Sequence, residues 1–237
     1  MGEGGDGVLN TNPIAGLEPM KADKTGRVRF LTEAEEGALR EALDKREERL
    51  RQARARLNEW RAERQKKELP EETYGGYLAF LRPLVLIALN TGLRRGELLG
   101  LSWGAVNFPA KLLTVTAATA KSGHTRRVPL NSEAFATFAA WHARQDNTGS
   151  DDPGFPGLDG KPMKRIDTAW RALTKAAGLK NFRLHDCRHH FASKLVQAAV
   201  DLYTVQELLG HSEFAMTEKY SHLAPDNLRA AVEKVAG

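Results

Sequence analysis

The run Leu184-His185-Asp186-Cys187-Arg188-His189-His190-Phe191 places a histidine and an arginine three residues apart at the head of a predicted helix, about 186–199. Residues three apart share a helix face, so His185 and Arg188 can reach one anion together. A guanidinium fork beside free backbone N–H groups suits a phosphate. His189 and His190 cannot both join that face. Taken alone, the pair is a weak signal, because a histidine is more often a packed or surface residue than a catalyst.

Upstream, Thr91-Gly92-Leu93-Arg94-Arg95-Gly96-Glu97 opens a short helix, about 94–100, just after a glycine turn. Arg94 points a cation at whatever approaches, and Glu97 can orient it through a charge-assisted hydrogen bond. The plain alternative is a surface salt bridge. Leu112 to Thr119 is the clear strand candidate, with the β-branched run Thr114, Val115 and Thr116. Arg127 to Leu130 returns beside it as a hairpin arm, which puts Lys121 near the turn as a proton donor or simply as an exposed loop lysine. Downstream come Leu208-Leu209-Gly210-His211 and Thr217-Glu218-Lys219-Tyr220. A tyrosine is a poor nucleophile at its free pKa of about 10. Cations and a base crowding the reaction centre make it a useful one. Tyr220 therefore matters as a set with His185, Arg188 and His211; the commoner fate of a helical tyrosine is a core ring with a satisfied hydroxyl. No metal-ligand spacing, glycine-rich phosphate loop or nucleophile elbow appears, so the expected cofactor set is none and the metal set none.

Around these motifs the pattern is mainly α with a small antiparallel β-sheet. Thr32 and Glu35 form a capping box, which starts a helix carrying Leu39, Leu43, Leu50, Leu57 and Trp60 on one side. From Arg40 to Lys67 there are 11 basic and 6 acidic residues, a surplus equal to the whole-chain charge of +5. Both a self-paired solvated surface and a phosphate-facing one fit that helix. Further helices are predicted at 76–90, with a local break or kink at Pro83, and from Ser132 to Arg144. Others follow at 164–177, 202–209 and 213–221, and an amphipathic one opens at Pro225. The 41% hydrophobic content suits a folded domain. The longest apolar segment, Leu84 to Leu89, is too short for a bilayer, and the first 13 residues do not form a signal peptide. The single cysteine, Cys187, excludes an internal disulfide and suits a reducing, cytoplasmic setting.

Together these segments resemble the tyrosine recombinases, the phage-integrase family, over residues 28 to about 230, and most of all integrases of bacterial phages and integrative elements. Thr91–Leu101 resembles the family's first arginine box, Thr119–Leu130 its strand-turn-strand, Leu184–Ser193 its His-x-x-Arg box and Thr217–Leu223 its nucleophile box. The resemblance implies Arg94, Lys121, His185, Arg188, His211 and Tyr220 as catalytic residues, with Glu97 supporting Arg94. It implies a site-specific recombinase on double-stranded DNA, forming a 3′-phosphotyrosyl intermediate through Tyr220. In that scheme Lys121 is the acid for the 5′-oxygen, His185 the base toward the tyrosine, and His211 a phosphate contact. A homotetramer on DNA is implied, with a monomer in solution left open, and no membrane partner. Residues 1–29 then read as a linker from an absent N-terminal core-binding domain. Residues 30–223 are the catalytic domain with a basic helical insertion around 40–70, and 224–237 a C-terminal helix docking in trans. Cys187 replaces the usual leucine as a buried apolar filler. The same residues also fit two alternatives: a catalytically silent DNA-binding fragment of the same fold, and a type IB topoisomerase-like relaxing enzyme.

Overall fold

A computed structural model describes residues 28–69, 77–116 and 125–225. The expected linker, apart from its last two residues, and the helix expected after Pro225 lie outside the described residues. The long helix α1 (Glu33–Ala62) starts at the predicted capping box: Thr32 Oγ1 accepts from the Glu35 N–H, and Glu35 Oε2 accepts from the Thr32 N–H. Only its first half packs, through Leu39, Ala42, Leu43 and Glu47. Leu57 and Trp60 are 43% and 42% exposed, so the predicted apolar stripe outruns the core that would cover it.

Helix α2 (Leu81–Thr91) is mostly apolar and buried apart from Arg82 and Asn90, as a central core helix should be. It packs against α4 (Ser132–His142) and α6 (Asp186–Gln197), and more lightly against α1. Pro83 produces no kink, because the helix begins at Leu81 and the proline falls in its first turn, where a missing N–H costs nothing. The cap of α4 is Asn131 rather than Ser132: the Asn131 amide oxygen accepts from the Ala134 N–H. Three antiparallel strands, β1 (Val106–Asn107), β2 (Leu112–Val115) and β3 (Arg126–Pro129), form a sheet in sequence order. Val115 pairs with Arg126 in the last strand pair described before the connection between β2 and β3. Helix α5 (Asp167–Ala176) packs on α1.

Helix α6 is tied to the start of α1 through His190, whose Nδ1 accepts from the Leu31 N–H (3.3 Å) while its Nε2 faces Glu36 Oε2 at 3.3 Å. His190 thus serves the fold. Beyond α6, α7 (Leu202–Leu209), the short α8 (Ala215–Glu218) and a 3-10 turn at Ser221–Leu223 build a second small core of Ala192, Val196, Val205, Leu209 and Tyr220. Among the described residues, no helix is long and apolar enough to cross a membrane.

Candidate active site

The C-terminus of α7 is the hub of the site. A helix end leaves its last carbonyls without intrahelical partners and carries partial negative charge. Here three successive carbonyls each accept from a different arginine. Leu208 O takes Arg126 Nε at 3.0 Å, Leu209 O takes Arg188 Nη2 at 2.6 Å, and Gly210 O takes Arg94 Nη2 at 3.1 Å. Arg188 also donates Nη1 to Gly92 O at 2.8 Å. Gly92 and Gly210 end α2 and α7 in the left-handed region, at φ 62 and 65. That conformation, which glycine alone adopts at no steric cost, turns each carbonyl toward a guanidinium.

Arg94 is the N-cap of α3 (Arg95–Leu99). Glu97 closes the cap, accepting the Arg94 N–H at 2.8 Å and Arg94 Nη1 at 3.1 Å. The same carboxylate receives both terminal nitrogens of Arg126, at 2.9 and 2.6 Å. Burial pushes the Glu97 carboxyl up, but the Arg126 and Arg94 donors together outweigh it and hold the group below its usual range. Arg188 is 2% exposed; burial, then the charges of Arg94 and Arg126, press its pKa down to about 9. It remains a cation at neutral pH. Arg95, by contrast, faces solvent and pairs with Asp167.

Tyr220 is completely buried, and its hydroxyl lies 2.6 Å from His189 Nδ1. Burial raises the phenol pKa, with Arg188 opposing. Burial, then Lys219, His185 and Arg188, lower His189 to about 4, so it is neutral at pH 7. With its proton on Nε2, Nδ1 accepts from the Tyr220 O–H. The nitrogen on the tyrosine is therefore that of His189, where the sequence pointed to His185. His185 precedes it by one helical turn, its ring edge-on to His189 at 5.1 Å. His211 Nδ1 sits 2.8 Å from Thr217 Oγ1, which links the end of α7 to the segment carrying Tyr220. Burial, then Arg188, Lys219 and Arg94, take His211 down to about 3. Beside these groups opens a cleft of about 650 Å³ whose lining includes Arg126, Arg127, Tyr203, Gln206 and His211.

The predicted residues Arg94, Glu97, Arg188, His211 and Tyr220 thus form one connected cluster, with His185 at its solvent edge. Lys121 lies outside the described residues. The family model "Phage integrase family" fits residues 62–227. The chain belongs to the phage integrase family. It is 34% identical to the integrase of Salmonella phage P22 over 157 residues, which is 62% of this chain and 40% of that protein. It is 37% identical to the tyrosine recombinase XerC of Xylella fastidiosa (strain 9a5c) over 145 residues, 60% of this chain and 48% of that one. The matched region spans under half the length of either relative. Two solved structures share the fold of this integrase-family chain, each at 22% identity. The Tn1549 transposon integrase in complex with transposon right end DNA superposes with a TM-score of 0.65, covering 91% of this chain and 69% of that one. The catalytic domain of bacteriophage HP1 integrase gives 0.56, covering 87% and 95%.

Sequence reading missed Arg126 and His189, and it missed Lys219, whose charge depresses His185, His189 and His211. One signal for Arg126 was available. It is in phase with the apolar Val128 and Leu130 at the two-residue strand period, so it faces inward, and a buried arginine needs an acid. No comparable signal marked His189, whose partner is 31 residues away.

Proposed function

We propose that this chain is the catalytic part of a site-specific DNA recombinase in which Tyr220 attacks a backbone phosphate. The observation that carries the reading is the Tyr220 hydroxyl on a neutral His189, inside a cluster where Arg94 and Arg188 converge on one helix end. Tyr220 Oη bonds to phosphorus and its proton passes to His189 Nδ1. The 5′-oxygen leaves with a proton from Lys121, giving a 3′-phosphotyrosyl link and a free 5′-hydroxyl. A 5′-hydroxyl from a second strand reverses the step, so the bond energy is conserved without a cofactor. Arg94 and Arg188 meet the non-bridging oxygens with their remaining N–H groups, preorganised where charge must be balanced. His185 and His211 supply further hydrogen bonds to the phosphate. The acting form is a homotetramer on duplex DNA.

A second reading, DNA binding without cleavage, draws on the full burial of Tyr220. In the catalytic reading that burial describes the resting chain, and the segment around α8 must shift to deliver the hydroxyl. A pool of nicked duplexes with a randomised centre separates the two. Because the nick lets the short product diffuse away, cleavage traps the adduct. DNA that stays on the protein through denaturation is recovered and sequenced, which also yields the target site. The catalytic reading expects a slow-migrating band that Tyr220→Phe abolishes with binding intact. An unchanged band in Tyr220→Phe overturns the nucleophile, and binding with no band favours the second reading.

A further inference from the structure

We propose that Arg126 is a positioning residue for cleavage, setting Arg94 through Glu97 and fixing the end of α7 through the Leu208 carbonyl. The inference rests on the recombinase reading above. Arg126 is 8% exposed, too enclosed to serve as a general DNA contact. Three of its five N–H groups are committed: Nη1 and Nη2 to the two oxygens of Glu97, and Nε to Leu208 O. Each Glu97 oxygen also holds one donor of Arg94, the side-chain Nη1 on Oε1 and the backbone N–H on Oε2. The carboxylate is therefore gripped from both sides, and any rotation that Arg126 allows is passed to Arg94.

The second contact works on the other wall of the site. Leu208 O and Gly210 O, held by Arg126 and Arg94, flank Leu209 O, held by Arg188. Through Nε, Arg126 thus holds the first of three successive carbonyls, next to the two that orient Arg188 and Arg94. The fit is tight: a Cβ on Gly210 would stand 2.7 Å from Arg126 Cδ. Arg126 also pairs with Val115 in the β2–β3 ladder, so it ties that strand pair to α3 and α7. A lysine cannot reproduce the arrangement, since one ammonium on a flexible stem cannot span both carboxylate oxygens and a carbonyl in the fixed geometry of a planar fork.

The test uses a nicked duplex carrying the site recovered from the randomised pool, with the native chain, Tyr220→Phe, Arg126→Lys and Arg126→Gln side by side. Adduct formation is followed in single turnover at saturating protein, together with DNA affinity and the thermal melt. We expect Arg126→Lys to melt cooperatively and to bind DNA within about threefold of the native chain, while forming adduct at least ~30-fold more slowly, the scale of a misplaced charged contact. In an Arg94→Ala background the same substitution should cost little more, because the two act as one unit. Adduct formation by Arg126→Lys within threefold of native, or full additivity with Arg94→Ala, overturns the inference while Tyr220-dependent cleavage keeps the recombinase reading. Loss of a cooperative melt in both the Lys and Gln variants assigns Arg126 to the fold alone and also overturns it. If the native chain forms no Tyr220-dependent adduct, the recombinase reading fails and takes this inference with it.

Discussion

Arg188 gives two of its five N–H groups to the carbonyls of Gly92 and Leu209. What is left for a phosphate is a guanidinium of fixed orientation, which makes the site an arrangement of preset donors. The same enclosure sets the histidines. Because burial depresses His189 to about 4 and His211 to about 3, the folded state resists protonation at pH values where the unfolded chain, with histidines near 6.5, accepts it. Their contribution to stability is complete above about pH 6.5 and is lost as pH falls from there toward 4. Glu97, also depressed, adds a loss below its ordinary 4.5. Thermal melts followed by circular dichroism should therefore show a midpoint falling steadily from pH 7 to 4, and a flat or rising midpoint contradicts this account. Replacing His189 by leucine removes the acceptor on the tyrosine, and single-turnover adduct formation should slow by roughly a hundredfold or more with DNA affinity kept. An unchanged rate returns the task to His185. Residues whose partners lie close in sequence, such as Arg94 with Glu97, were legible from spacing. Arg126 with Glu97 and His189 with Tyr220 were not, because only folding brings them together across 29 and 31 positions.

At the scale of elements, the site is made by helix ends. α2 and α7 stop in left-handed glycines, α3 starts at Arg94, and their termini meet. Gly210→Ala is the direct probe of that design. The alanine must hold a left-handed conformation that costs roughly 1–2 kcal/mol and also push against Arg126 Cδ. A loss of about 1–3 kcal/mol in urea unfolding is expected, and a variant as stable as the native chain contradicts the packing described for α7. Capping logic read Thr32 and Gly210 correctly, since a cap is a local event. It misplaced the cap of α4 by one residue and put a kink at Pro83, which depends on where α2 begins. The stripe through Leu57 and Trp60 failed for a different reason. Periodicity records a helix face, but whether anything covers that face depends on where α1 lies against α2 and α5.

Across the whole molecule, the mainly helical fold with a small antiparallel sheet was legible because its motifs come in a fixed order. The second small core around Tyr220 was not, since Ala192, Val196, Val205 and Leu209 look like ordinary helix faces until α6 and α7 pack. In the proposed function, a surplus of five basic residues and the arginine cluster give DNA binding a large phosphate component. Affinity for the randomised duplex pool should fall with salt along a log–log slope steeper than about −4, corresponding to several neutralised phosphates. A slope near zero contradicts a phosphate-facing site. In the proposed reaction Tyr220 itself becomes bonded to DNA. That bond is tested most directly by trapping the adduct on the nicked duplex, digesting protein and DNA, and locating the residual nucleotide by peptide mass spectrometry. A nucleotide linked through its 3′-phosphate is expected on the peptide containing Tyr220, attached at the phenolic oxygen. A nucleotide on any other residue, or none on a chain that binds the same duplex, contradicts the proposed reaction.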